Sequence, residues 1–96
     1  MSAEATTAKI HLTGAMICPP DRLAAVRAAL PDHIRLTRAE PGCLRFEVTE
    51  ARGGRFEVDK QFTDRAAFDA HQARGAASDW ARVTAGLPRE YEVTEV

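Results

Sequence analysis

The sequence predicts an α+β domain, an antiparallel sheet with helices packed on one of its faces, and three observations carry that reading. Apolar and polar residues alternate near the N-terminus, twice in the middle and again at the C-terminal end, as half-buried strands require. Apolar residues three and four positions apart follow the first and third of these stretches, the spacing of a helix face. Each change of pattern is marked by Pro or Gly, or by a capping Ser, Thr or Asp.

Taken in order, residues 9–18 form the first expected strand, with Ile10, Leu12, Gly14 and Met16 on one face and His11, Thr13, Ala15 and Ile17 on the other. Pro19-Pro20 ends it, since neither residue can donate to a ladder. Pro20-Asp21 then opens a helix with a proline and an acid in its first turn. Leu23, Val26 and Leu30 make its apolar stripe. Pro31 is expected to break or kink it at Leu30, with a helical continuation over residues 32–39. Glu40-Pro41-Gly42 is a turn, and Leu44, Phe46 and Val48 then alternate with Arg45, Glu47 and Thr49 in a second strand.

Arg52-Gly53-Gly54 reads as a hairpin turn. Its return strand holds Phe56 and Val58 on one face and Glu57, Asp59 and Gln61 on the other, so the two strands pair antiparallel. Thr63 or Asp64 caps a helix running from Arg65 to about Arg74, on which Phe68 and His71 share a side. Gly75 is expected to interrupt it. Ser78 caps a further helical piece with Trp80, Val83 and Leu87 pointing inward, and residues 91–96 close the chain as a strand. The order β-α-β-β-α-β is ferredoxin-like. The face away from the helices is polar and suits water or a second subunit's sheet.

Bulk properties narrow the function. The 96 residues make one domain, expected over 9–96 behind a disordered leader at 1–8. A chain this short buries roughly 60–70% of its unfolded surface, and dimerisation is a common aid. Thirteen basic and fourteen acidic residues leave a net charge of −1 with no one-sign segment, which argues against nucleic acid or an anionic membrane as partner. No run of about 18 apolar residues suggests a membrane span. The polar N-terminus lacks the apolar core of a signal peptide, so Cys18 and Cys43 are expected to be reduced thiols in a cytoplasmic protein. The three histidines lack metal-ligand spacing, and no CxxC, nucleophile elbow or phosphate-binding glycine loop occurs.

The run Glu-Pro-Gly-Cys-Leu-Arg-Phe-Glu-Val at 40–48, followed by Arg-Phe-Glu-Val-Asp-Lys-Gln-Phe-Thr-Asp-Arg-Ala-Ala-Phe-Asp-Ala-His at 55–71, resembles the antibiotic biosynthesis monooxygenase domain. That family, which includes quinol monooxygenases, belongs to the dimeric α/β-barrel superfamily, and the resemblance covers residues 9–95. It implies a homodimer whose two sheets form a barrel, with a pocket in each subunit between sheet and helices. It also implies oxidation without metal, flavin or haem. The implied substrate, an electron-rich polycyclic phenol or quinol, is deprotonated and itself donates an electron to O₂, while the protein binds the ring, favours the anion and excludes water. Haem-degrading relatives carry an Asn on the first strand; this chain has no Asn, which disfavours haem.

Within that resemblance His71 is the expected catalytic residue, because an imidazole titrating near 6.5 takes a phenolic proton or hydrogen-bonds an oxygen around neutral pH. Trp80 would be the stacking wall for a flat ring, with an indole N–H to donate. Phe46, Phe62 and Phe68 are candidate ring contacts, and Tyr91 a candidate donor or interface residue. The plainer readings make His71 a structural helix residue and the aromatics core. His11 reads as a polar sheet or dimer residue, and His33, beside Pro31, as solvent-exposed. The same scaffold also suits a non-redox isomerase or degrader of small carbonyl metabolites, or a non-catalytic dimer binding a small aromatic ligand.

Overall fold

The computed structural model describes residues 8–96, so the expected leader falls almost wholly outside them. Strand β1 spans Ile10–Ile17 and a 3-10 turn, Pro20–Arg22, leads into helix α1, Leu23–Arg38. Strand β2 (Cys43–Glu50), a turn at Arg52–Gly54 and strand β3 (Arg55–Phe62) form the hairpin. Helix α2 (Arg65–Ala76), the short helix α3 (Asp79–Val83) and strand β4 (Arg89–Glu95) complete the chain. The four strands lie in the order β2-β3-β1-β4, every pair antiparallel, which is the ferredoxin-like arrangement.

The register shows which residues look toward the helices. Met16 faces Phe56, Leu12 faces Lys60 and Ile10 faces Phe62 across β1 and β3, while Phe46 and Val48 face Lys60 and Val58 across β2 and β3. Two apolar clusters follow. One joins Met16, Cys18, Val26, Phe56 and Leu87; the other joins Ile10, Leu12, Phe62 and Phe68. Asp64 caps α2 by accepting from the Ala67 N–H, and Ser78 caps α3 by accepting from that of Ala81. On the opposite face His11 donates to Asp59 at 2.8 Å, and Arg45 sits 3.3 Å from the same carboxylate.

Four expectations are corrected. Pro31 lies inside α1 without ending it, and residues 23–38 are one helix. A proline removes one intrahelical hydrogen bond, and packing of the buried Val26, His33 and Thr37 on either side holds the helix through it. Gly75 likewise lies within α2, which continues to Ala76. Leu44 does not share the inner face with Phe46: a bulge between Cys43 and Arg45 puts Cys43 opposite Phe62 and leaves Leu44 49% exposed. His33, expected at the surface, is 7% exposed because α1 carries it under α3 and onto the sheet.

Candidate active site

Between the inner sheet face and the helices lies a cavity of about 270 Å³. Its sheet side is Met16, Phe46, Val48, Phe56 and Val58, and its helix side includes His33, His71 and Trp80. Lys60, Gln72, Arg89 and Tyr91 bring polar groups to it. Of the residues expected at a site, His71, Trp80, Phe46 and Tyr91 meet here. Phe62 and Phe68 do not line the cavity. Both are buried behind it, with Phe62 stacked on the His71 ring at 4.9 Å and edge-on to Phe68 at 5.9 Å.

Helix α2 brings His71 to the sheet with 3% of its surface exposed. Its Nδ1 lies 2.8 Å from Oε1 of Glu40, the first residue of the Glu-Pro-Gly turn, and its Nε2 lies 3.0 Å from Nζ of Lys60. A carboxylate only accepts, so Nδ1–H donates to Glu40 and Nε2 accepts from Lys60. The second oxygen of Glu40 takes the guanidinium of Arg74, which also donates to Thr37 Oγ1 at 3.1 Å. Burial holds the His71 pKa below its ordinary value and the Lys60 ammonium pushes it the same way, against the pull of Glu40. His71 is therefore a neutral imidazole with both nitrogens engaged.

The aromatic wall is a pair rather than a lone indole. His33 and Trp80 stack with ring centres 4.7 Å apart and planes 6° from parallel, and Phe46 meets His33 edge-on at 5.4 Å. Burial drives the His33 pKa down to about 3, and Nδ1 of His33 is buried without a hydrogen-bond partner among the described residues. The stack also lines a groove of about 450 Å³ on its other side, between α1 and α3. Tyr91 keeps its phenolic proton, its pKa raised by burial. Among the described residues no three His, Cys, Asp or Glu side chains are grouped to hold a metal ion, and Cys18 and Cys43 are free.

Sequence reasoning missed Lys60, Glu40 and Arg89. Lys60 had a signal: the alternation of Phe56, Val58 and Phe62 puts it on the buried face, where a lysine is rare without cause. Glu40 had none, because it read as part of a turn.

The fold is an α+β domain with a cavity between one sheet and its helices. The chain belongs to the antibiotic biosynthesis monooxygenase family, whose sequence profile matches residues 10–83. No curated protein matches it. Among solved structures it is similar to protein SO0527 from Shewanella oneidensis, at 27% identity over 95% of this chain and 93% of that one, with a TM-score of 0.74. It is likewise similar to Rv0793 from Mycobacterium tuberculosis, at 26% identity over 90% and 92% of the two chains and a TM-score of 0.70. A Nitrosomonas europaea protein shares the fold more closely, TM-score 0.80 over 98% and 95% of the two chains, at 17% identity.

Proposed function

We propose that the protein is a cofactor-independent monooxygenase that oxidises a phenolic or quinol-type small aromatic molecule with O₂, acting as a homodimer in the cytoplasm. The observation that carries this reading is the cavity itself, in which a flat aromatic wall stands beside a hydrogen-bonded, neutral histidine. The ring lies along Trp80 and Phe46, with Tyr91 in reach of a ring oxygen. The phenolic proton leaves toward His71, the base or orienter, whose imidazole Glu40 holds in one tautomer. The anion then donates an electron to O₂. One oxygen atom enters the ring as a carbonyl, and the other leaves as water with two hydrogens from the substrate. Phe62 and Phe68 act from behind by fixing the His71 ring, and the apolar lining keeps water from the reacting anion.

Oxygen uptake by metal-stripped protein on a panel of hydroquinones and hydroxynaphthalenes tests this. Uptake above the autoxidation blank is expected, falling roughly a hundredfold in His71→Ala, the usual loss with a general base. A folded wild type that consumes no oxygen on any ring removes the reading, and turnover of a small carbonyl without oxygen would replace it with an isomerase.

A further inference from the structure

The roles given to His71 and Trp80 leave one buried cation unexplained. Lys60 is 8% exposed and lines the cavity. Its Nζ has two hydrogen-bond partners, Nε2 of His71 at 3.0 Å and Oε1 of Gln72 at 3.4 Å, and neither is a carboxylate. An ammonium has three N–H donors, so among the described residues one has no hydrogen-bond partner. A second cation, Arg89, lines the same space, and among the described residues no Asp or Glu does. Glu40 stands behind His71, engaged by His71 and Arg74. A buried ammonium with no carboxylate in contact with it is costly even with Glu40 nearby, and the group that would compensate it is a negatively charged oxygen brought in by the ligand.

We propose that Lys60 binds the ionised hydroxyl of the substrate, and that the substrate is a hydroxyarene of one or two rings, with its oxygen on Nζ and its ring against Trp80. This rests on the monooxygenase reading for the reaction and on the cavity alone for the ligand. Size points to a small ring system: a cavity of about 150 Å³ admits benzene, so about 270 Å³ has room for one or two rings. The proton has a route. As the phenolic O–H breaks, Lys60 passes one N–H proton to Nε2 of His71 and takes the substrate's proton in exchange. The ammonium is restored, and the new imidazolium stays hydrogen-bonded to Glu40. Besides His71, the titratable groups facing Lys60 are Glu40 in the α1–β2 turn, Cys43 on β2, Arg74 on α2, Arg89 on β4 and His33 on α1. Burial lowers the Lys60 pKa to about 8, with Glu40 opposing and Arg89 adding to the shift, so the ammonium still dominates at neutral pH.

The probe is 4-nitrophenol, which is yellow only when ionised, with nitrobenzene as its uncharged control. Titrated with pH in the presence of excess full-length protein, bound 4-nitrophenol is expected to ionise at least one pH unit below the free phenol, a tenfold preference for the anion. Lys60→Met is expected to abolish that shift and leave nitrobenzene binding unchanged. Lys60→Gln, which keeps a polar contact without charge, carries the same comparison if the methionine variant does not fold. Ionisation at the same pH in wild type and variant overturns the proposal, as does wild type that binds nitrobenzene but not 4-nitrophenol. A Lys60-dependent shift without oxygen uptake on any phenol keeps this inference and removes the monooxygenase; uptake without the shift does the reverse.

Discussion

His33 shows how one side chain can set the acid limit of this fold. Its imidazole is held neutral down to about 3, mainly by burial, with His71, Arg74 and Lys60 nearby adding to the effect. In the unfolded chain the same ring takes up a proton below about 6.5. Acid therefore favours the unfolded chain, and stability falls as pH falls through that window. At about 1.4 kcal/mol per pH unit, the His33 contribution to the loss reaches about 2 kcal/mol at pH 5. Phenylalanine preserves a ring against Trp80 and removes the unpartnered Nδ1. Urea unfolding of wild type and His33→Phe at pH 7 and pH 5 is expected to show a smaller acid loss in the variant by about that amount; equal losses would contradict it. None of this burial was legible in the sequence, because His33 is placed by an α1 that runs straight through Pro31, where a break was expected. Nor was the Glu40–His71–Lys60 chain, whose members lie 31 and 11 positions apart and meet only once α2 docks. His71 itself was legible, because the helical spacing that buries Phe68 carries it to the same side.

At the scale of elements, the β2–β3 turn contains two adjacent glycines in different situations. Both are left-handed, with φ of +74° at Gly53 and +77° at Gly54. A Cβ on Gly53 would meet nothing within 4 Å, whereas one on Gly54 would come 2.0 Å from the carbonyl oxygen of Cys18. That approach joins the hairpin to the end of β1, since the Cys18 N–H donates to the Gly54 carbonyl at 2.8 Å. Gly53→Ala is expected to cost about 1 kcal/mol, the left-handed penalty alone. Gly54→Ala is expected to cost about 3 kcal/mol or more, because the strands must also part. Denaturant midpoints of the two variants measure the difference, and equal shifts would mean that the contact with β1 yields freely. The hairpin was readable from Arg-Gly-Gly between two alternating runs. The bulge at Leu44 was not, since an extra residue shows only when β2 is laid against β3 and Cys43 takes the inner place opposite Phe62.

For the whole molecule, the order of elements was legible because each boundary carries its own chemistry: two prolines after β1, Asp64 before α2, Ser78 before α3. What covers the outside of the sheet is a matter of assembly, and here the structure has an imbalance. All helices lie on one face. The other is held by ion pairs such as Arg55 with Glu57 and Glu90, each at 3.3 Å, and exposed pairs of this kind contribute at most about 1 kcal/mol. Among the described residues β4 is an edge strand, paired only with β1 and exposed along nearly its whole length. Val93 lies opposite the buried Leu12 yet is 44% exposed, because the helices do not reach over β4. An open edge with an apolar residue invites pairing with another chain, and in the proposed homodimer a second copy, its sheet closing on the first, would cover both the edge and the polar face. Sedimentation equilibrium at about 20 μM is expected to give twice the 10.5 kDa of one chain. Val93→Lys puts a charge on the edge and is expected to shift the mass toward one chain while the circular dichroism of the fold is kept. A wild type that sediments as a single chain would leave β4 uncovered and remove the homodimer from the proposed function, with the cavity beside His71 still formed within one subunit.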